Sequence, residues 1–301
     1  MIPPTELREI IRHGLLSFPV TPFDAQDNFA AKPFQAHLEW LAQYPVAGLI
    51  VAGGTGEMFS LAPSEIVDVV RATKTVAGNA PVIAGCGYGV RVACDLAREI
   101  EAAGGDGILL LPHYLTEAPQ EGVVDRVRQV CRATNMGVIF YNRGQSQISA
   151  ESLAKLVEEC PNLIGFKDGT GDIDTVRRVT ALLGDRLSYI GGMPTHELFA
   201  QAYRGAGMAT YSSAVFNFVP ETALAFHGAF KAGDDKACEA LLRDFYYPFA
   251  KIRDRKPGYA VAAVKAGVAL RGFETGHVRA PLTNLTEEEV AMMRDLIASR
   301  S

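Results

Sequence analysis

Eight short apolar runs recur along the chain, and each is followed by a segment whose apolar residues are spaced as on one face of a helix. The distance between runs is about that of one strand and its return helix. The runs are nearly continuous rather than alternating, which is typical of parallel strands that are covered on the outside. The pattern therefore predicts strands at residues 14–20, 48–54, 81–87, 107–112, 137–142, 163–168, 187–192 and 208–215.

The segments between these runs carry signals for helix starts. Ser64, Ser149 and Thr195 are candidate N-caps, because a side-chain hydroxyl can accept a hydrogen bond from a free backbone N–H of the first turn. Thr286 and Glu289 have the spacing of a capping box and predict the start of the last helix.

Eight strand–helix units in about 220 residues predict a (β/α)8 TIM barrel. A doubly wound sheet is the alternative, although that fold usually has fewer strands and a glycine fingerprint after the first one. Three further helical segments follow the eighth unit. We therefore predict a barrel with a short N-terminal helix over residues 1–230 and a C-terminal helical extension over residues 231–301.

Composition narrows the classes of function. The chain has 301 residues, is 48% hydrophobic and has a formal net charge of −5, and its basic residues are scattered rather than gathered in a stripe. These features do not favour nucleic-acid binding, and no apolar run approaches the ~20 residues of a membrane span. The five cysteines are odd in number and form no C-x-x-C pair. This cysteine pattern disfavours zinc sites and disulfides. We therefore predict that the protein is located in the reducing cytoplasm.

Lys167 is unusual because it ends the apolar run at residues 163–166. The other eight lysines lie in helical or loop segments, where we expect solvated ammonium groups. The C-terminal ends of the strands carry the active site of a TIM barrel, and burial there would lower the pKa of Lys167. The neutral amine could then attack a ketone to form a Schiff base. The alternative is a structural salt bridge with Asp168.

Two other strand ends carry candidate chemistry. Tyr141 ends the fifth run and could relay protons to and from a carbinolamine, or it could be a core tyrosine with a satisfied hydroxyl. The segment "GGTGEMFSL" (residues 53–61) follows the second run. Its small residues and the Thr55 hydroxyl suit an anion such as a substrate carboxylate, and the alternative for this segment is a tight βα turn.

Three motifs in the same order resemble the dihydrodipicolinate synthase and N-acetylneuraminate lyase family. They are G-x-T-G-E after the second run, Y-N at the end of the fifth and G-F-K-D-x-T-G-D at the sixth. The resemblance covers essentially the whole chain. It implies a Schiff-base-forming barrel with a C-terminal helical extension, a homotetramer, and a reaction that requires no metal or organic cofactor.

The resemblance also implies roles for individual residues. Lys167 is expected to form the Schiff base with the substrate, and Tyr141 is expected to relay protons. Gly54 and Thr55 are expected to bind the keto-acid carboxylate of the substrate. Gly192 is expected to line the pocket, and Tyr114 is expected to reach into the site of a neighbouring subunit.

The sequence departs from the better-known family members at two strand ends. "YNRGQSQIS" replaces a Y-N-[VI]-P turn and places Arg143 beside Asn142, and Ser212 stands where isoleucine is usual. These departures resemble the branch of the family that dehydrates and decarboxylates a six-carbon keto-diacid. We therefore predict that Arg143 holds the distal carboxylate and that Asn142 lies in the same substrate site. Ser212 or Ser213 is predicted to form a hydrogen bond with the hydroxyl group that leaves the substrate.

Two other functions fit the same fold. A pyruvate-dependent class I aldolase or lyase would use the same Schiff base but would release pyruvate from a 2-keto sugar acid. A catalytically silent metabolite-binding barrel would keep the fold without the chemistry, although the joint presence of Lys167, Tyr141 and Thr55 argues against it.

Overall fold

A closed barrel of eight parallel strands lies at the centre of the molecule, with the strands hydrogen-bonded in sequence order. The computed structural model describes residues 1–114 and 116–300. Each of the eight predicted apolar runs contains one strand, so the predicted TIM barrel is confirmed. The strands are β1 Leu16–Ser17, β2 Gly48–Val51, β3 Val82–Cys86, β4 Gly107–Leu110, β5 Gly137–Asn142, β6 Leu163–Asp168, β7 Ser188–Gly191 and β8 Thr210–Ser213.

Helices surround the barrel, precede it and follow it. They are α1 Pro4–Ile11, α2 Ala31–Leu41, α3 Pro63–Lys74, α4 Val90–Ala102, α5 Gln120–Arg132, α6 Ala150–Glu159, α7 Ile173–Leu183, α8 Ala200–Gly205, α9 Pro220–Ala232, α10 Asp235–Leu241, α11 Tyr247–Arg253, α12 Tyr259–Leu270 and α13 Glu287–Ala298. A π-helical turn, Leu242–Tyr246, joins α10 to α11. The C-terminal helices are present as predicted, and the division of the chain at residue 230 stays a prediction.

Helix α1 covers the end of the barrel at which the strands begin. The buried side chains of Leu7 and Ile11 join the inner core. A Cβ atom at Gly107 or Gly137, the first residues of β4 and β5, would lie 2.9 or 3.0 Å from the Leu7 side chain. Glycine at these two positions therefore makes room for the helix, and the opposite end of the barrel is left for chemistry.

The pairing of β5 with β6 brings two polar side chains together inside the barrel. The register between these strands shifts at Val138 and Ile139. Beyond that irregularity Phe140 pairs with Phe166 and Tyr141 pairs with Lys167. Successive side chains of a strand point to opposite faces, so the phenylalanines join the outer core and Tyr141 joins the inner one. Lys167 therefore faces the lumen beside Tyr141.

Two predicted helix starts are confirmed and two are wrong. The side chains of Ser149 and Thr286 accept bonds from the first turns of α6 and α13. Helix α3 begins at Pro63 rather than after Ser64, because proline suits the first helical position, where no N–H is needed. Thr195 takes a left-handed backbone conformation with φ of 49°, and α8 begins further along the chain.

Across residues 1–114 and 116–300, none of the helices combines the length and the apolar character needed to cross a lipid bilayer. The five cysteines all lie in this range, and each is a free thiol.

Helix α12 packs closely on the ring of Phe218, which makes Gly267 a test of the packing. A Cβ atom at Gly267 would lie 2.5 Å from Phe218 Cγ, whereas Gly228 of α9 has open space in front of it. We expect Gly267→Ala to destabilise the fold by roughly 1–3 kcal/mol through overpacking. The matched change Gly228→Ala should stabilise it by about 0.5–1 kcal/mol, because alanine favours the helix. Thermal unfolding of both variants measures this, and equal midpoints would contradict it.

Candidate active site

A cavity of about 470 Å³ opens at the C-terminal ends of the strands. It brings together most of the predicted site residues, although they come from six separate strand ends or loops. Those that line it are Gly54, Thr55, Tyr114, Tyr141, Arg143, Lys167, Gly192 and Ser212.

The Lys167 ammonium is buried against aromatic rings. Its residue is 2% exposed, and Nζ lies 4.3 Å from the Tyr141 ring centroid and 5.1 Å from that of Phe18. Burial is the main cause that lowers the pKa of Lys167 to about 7, and the charge of Arg143 lowers it further, while Asp168 opposes both. A large fraction of the amine is therefore neutral near neutral pH and can act as a nucleophile.

The carboxylate of Asp168 is held by other groups. It accepts hydrogen bonds from the Asn142 amide, the Tyr203 hydroxyl, the Thr170 hydroxyl and the backbone N–H groups of Thr170 and Gly171. In the described part of the chain no salt bridge joins Lys167 to Asp168, so the structural alternative for the lysine is wrong. Neighbouring residues of a strand point to opposite faces, and this separates the two charges.

Tyr141 links the candidate nucleophile to the wall of the cavity. Its hydroxyl donates to the Gly192 carbonyl oxygen at 2.7 Å and accepts from Arg143 Nη1 at 3.1 Å. Burial is the main cause that raises the pKa of Tyr141. The phenol therefore stays protonated at neutral pH, and these two hydrogen bonds hold its oxygen beside Lys167.

Position 192, beside Lys167, has room only for glycine. A Cβ atom there would lie 2.6 Å from Lys167 Nζ and 2.7 Å from the Asp168 carbonyl oxygen. The Gly192 N–H donates to that same oxygen at 2.6 Å. The absence of a side chain thus leaves space for the amine and lets the end of β6 bond to the loop after β7.

The loop after β2 presents a small, open edge to the cavity. Nothing lies within 4 Å of the position of a Cβ atom at Gly54, whereas a Cβ atom at Gly53 would lie 2.7 Å from the Phe18 ring. Thr21 Oγ1 donates to the Gly56 carbonyl oxygen at 2.7 Å and fixes the turn from behind. The loop can therefore offer backbone N–H groups and the Thr55 hydroxyl to an anion.

Arg143 projects into the cavity from a short loop. Its backbone N–H and carbonyl oxygen exchange hydrogen bonds with Ser146 at 3.2 and 3.0 Å, and Gly144 between them has φ of 56°. This small turn replaces a straight exit from β5. It places the guanidinium 5.9 Å from the centroid of the Tyr141 ring.

Among the residues that the structure describes, Asn142 and Ser213 do not line the cavity, which corrects their predicted place against the substrate. The Asn142 amide donates to Asp168 Oδ1 at 2.7 Å, and its oxygen accepts from the Ile148 N–H at 3.0 Å. Ser213 Oγ donates to Glu197 Oε1 at 2.6 Å. Both side chains alternate away from the lumen, so neither is assigned to the substrate below.

The sequence does not predict two residues that line the cavity and one buried lysine outside it. Phe18 lines the cavity from the segment after β1, and Arg253 lines it from α11. Lys265 is 3% exposed, which corrects the prediction that its ammonium group is solvated. It is the only charged residue of "YAVAAVKAGVAL", and this apolar surrounding is a signal that could have revealed its burial. The position of Arg253 depends on how α11 packs, and no local pattern reports that.

The sequence is similar to a family model and to named proteins. The model of the dihydrodipicolinate synthetase family matches residues 12–300. A protein of Cereibacter sphaeroides (strain KD131 / KCTC 12085), named a probable 5-dehydro-4-deoxyglucarate dehydratase, is 58% identical over 294 residues, which is 98% of each chain. A protein of the same name from Rhizobium meliloti (strain 1021) is 56% identical over 298 residues and 99% of each chain.

Solved structures show the same fold. Dihydrodipicolinate synthase from Oceanobacillus iheyensis has a TM-score of 0.88 at 23% identity and covers 98% of both chains. A putative dihydrodipicolinate synthetase from Pseudomonas aeruginosa has a TM-score of 0.86 at 26% identity, over 96% of this chain and 99% of the other.

The pKa of Lys167 predicts how imine formation depends on pH. Only the neutral amine attacks a ketone, so the rate at which cyanoborohydride traps pyruvate on Lys167 should rise with pH and level off above about 7. Below that midpoint the rate should fall about tenfold per pH unit. Peptide mass spectrometry of the labelled lysine measures it. A midpoint above pH 9 would show that burial does not hold the pKa down.

Proposed function

Because the chain belongs to the dihydrodipicolinate synthetase family, we propose that it catalyses the conversion of 5-dehydro-4-deoxy-D-glucarate to 2,5-dioxopentanoate, water and CO₂. The observation that carries this proposal is the buried Lys167 amine, which faces the cavity beside Tyr141. The shared name of relatives at 55–58% identity supports the choice of substrate. The family inferred from the three motifs is confirmed.

The first step joins Lys167 to the substrate. The neutral amine adds to the C5 carbonyl, and Tyr141 passes a proton to the carbinolamine oxygen, which leaves as water. The C6 carboxylate next to C5 lies against the loop of Gly54 and Thr55. No metal or organic cofactor is required, because the protonated imine of the lysine is itself the electron sink.

Dehydration follows from the charge on the imine. The iminium acidifies C4–H, and loss of that proton gives an enamine whose electrons expel the C3 hydroxyl as water. Ser212 lines the cavity and is the candidate donor of a hydrogen bond to this leaving hydroxyl. Isoleucine at this position would offer no hydrogen-bond donor. The product of the step is an iminium conjugated with the C3–C4 double bond.

Decarboxylation uses the same sink. The C1–C2 bond breaks, CO₂ leaves, and the electron pair passes through C2–C3 and C4–C5 to the nitrogen. Protonation of the resulting dienamine and tautomerisation of its C2 enol leave an aldehyde, and hydrolysis frees Lys167. We assign the C1 carboxylate to Arg143, whose guanidinium bonds the Tyr141 hydroxyl, because a charge-assisted contact can orient the scissile bond.

We further propose an oligomeric state and a cellular setting for the enzyme. Tyr114 is 65% exposed at the cavity mouth, where a neighbouring subunit of a homotetramer could receive it. The free cysteines are compatible with the cytoplasm. The reaction would belong to the catabolism of glucarate and galactarate, with a small keto-diacid as partner rather than nucleic acid or membrane.

The proposed function predicts a product that separates it from the aldolase alternative. Incubation with 5-dehydro-4-deoxyglucarate should release equal amounts of CO₂ and 2,5-dioxopentanoate, and Lys167→Met should abolish both. Lys155→Met, on the exposed face of α6, is the control and should keep full activity. Release of pyruvate from a 2-keto sugar acid, without CO₂ from the diacid, would favour the aldolase instead.

Arg143→Ala tests the assignment of the distal carboxylate. We expect kcat/KM for the diacid to fall at least tenfold, about 1.4 kcal/mol, because a charge-assisted contact is lost. Pyruvate carries no distal carboxylate, so its trapping on Lys167 at pH 9 should stay within about twofold. A change below threefold for the diacid would show that Arg143 does not hold the carboxylate.

A further inference from the structure

Glu57, the last residue of the G-x-T-G-E motif, is buried at the base of the substrate-carboxylate loop (residues 53–58). Its side chain is fully inaccessible, and its backbone is left-handed, with φ of 57°. The N–H of Glu57 donates to the Gly54 carbonyl oxygen, and the N–H of Met58 donates to that of Gly53. The orientation of Glu57 is therefore tied to the turn that carries Gly54 and Thr55.

The partners of the Glu57 carboxylate come from the far end of the chain. Lys265 Nζ of α12 lies 2.6 Å from Oε1, and the backbone N–H of Arg279 donates to Oε2 at 2.9 Å. Lys265 also donates to the His277 carbonyl oxygen at 2.7 Å. A buried carboxylate and a buried ammonium are costly unless they are paired, so neither charge can readily leave the other.

A segment between α12 and α13, here called the strap (residues 272–281), fastens these partners in place. Its Thr275 carbonyl oxygen accepts from the Phe23 N–H at 3.2 Å. The Arg279 guanidinium donates to the Ser60 carbonyl oxygen at 2.9 Å and to Glu65 Oε1 at 2.6 Å. The strap thus contacts the loop after β1 and the segment that leads from the loop after β2 into α3.

One aromatic ring completes the arrangement. Lys265 Nζ and Arg279 Cζ lie 4.1 and 4.0 Å from the centroid of the Phe23 ring. A Cβ atom at Gly276 would lie 2.0 Å from the Phe23 carbonyl oxygen, so the strap approaches this residue as closely as glycine permits. The face of the Phe23 ring attracts both cations, and through Arg279 it holds the strap against the barrel.

The geometry points to Lys265 as a positioning residue that fixes the substrate-carboxylate loop through its ion pair with Glu57. Within the described ranges, neither residue lines the cavity, whereas Gly54 and Thr55 do. Lys265 therefore acts on the keto-acid carboxylate only through the shape of the loop. The inference rests on the proposed function, because it takes this loop as the carboxylate site.

Lys265→Met tests the inference by removing the charge while keeping the length of the side chain. A loop that has lost its anchor should bind the carboxylate poorly but leave the Lys167 chemistry intact. We expect KM for the diacid, and the pyruvate concentration for half-maximal borohydride labelling of Lys167, to rise at least tenfold. Both kcat and the maximal labelling should stay within threefold, because saturating substrate restores the bound geometry.

Lys74→Met is the matched control. Lys74 pairs with the buried Asp106 at 3.1 Å, at the end of the barrel remote from the cavity, since Asp106 immediately precedes β4. This variant also loses a lysine ion pair, but both half-saturation values should stay within twofold. An equal rise in the two variants, or a loss of kcat at unchanged KM in Lys265→Met, would overturn the inference.

Glu57→Gln covers the case in which Lys265→Met does not fold. The amide oxygen can still accept from the Arg279 N–H, so the turn should form, and a three- to tenfold rise of both half-saturation values is expected. Unchanged values would contradict the inference. If the wild-type protein itself fails to label with pyruvate, the proposed function fails. If the wild-type protein is labelled by pyruvate but the variants do not show the expected rise in half-saturation values, only the positioning role of Lys265 is wrong.

Discussion

The chemistry at the mouth of the barrel depends on an ammonium group that is held out of water, against aromatic rings and away from the neighbouring carboxylate. Lys167 lies against Tyr141 and Phe18, and Asp168 points through the barrel wall to five donors of its own. A carboxylate turned toward the amine would keep it charged. The network around Asp168, to which Asn142 belongs, therefore turns the carboxylate away from the Lys167 amine.

Two details of the backbone make this arrangement possible. The register shift at Val138 and Ile139 sets which residues of β5 and β6 face inward, and a slip of one residue would send Lys167 to the outer face. Glycine at 192 then leaves the volume in which the amine lies. The reactive centre is thus specified by strand pairing and by the absence of one side chain, as much as by the residues that react.

Much of the fold and the centre of the site could be predicted from the sequence, because they are local patterns. An apolar run followed by a helix marks each strand, and Lys167 interrupts one such run. The errors have a different origin. Asn142 and Ser213 directly follow Tyr141 and Ser212 at the ends of β5 and β8, and only the direction of the side chains distinguishes the members of each pair. Lys265 and Arg253 are placed by how the C-terminal helices dock, and this long-range packing leaves little trace in neighbouring residues.

The contact of Glu57 with Lys265 joins positions more than 200 residues apart in the chain. A ribosome adds about 5–20 residues per second, so the loop emerges on the order of ten seconds or more before its counter-ion. By then all eight strands and Lys167 have been made. On the proposed positioning role of Lys265, a nascent chain that already contains Lys167 still lacks the anchor of its substrate-carboxylate loop until α12 has been made.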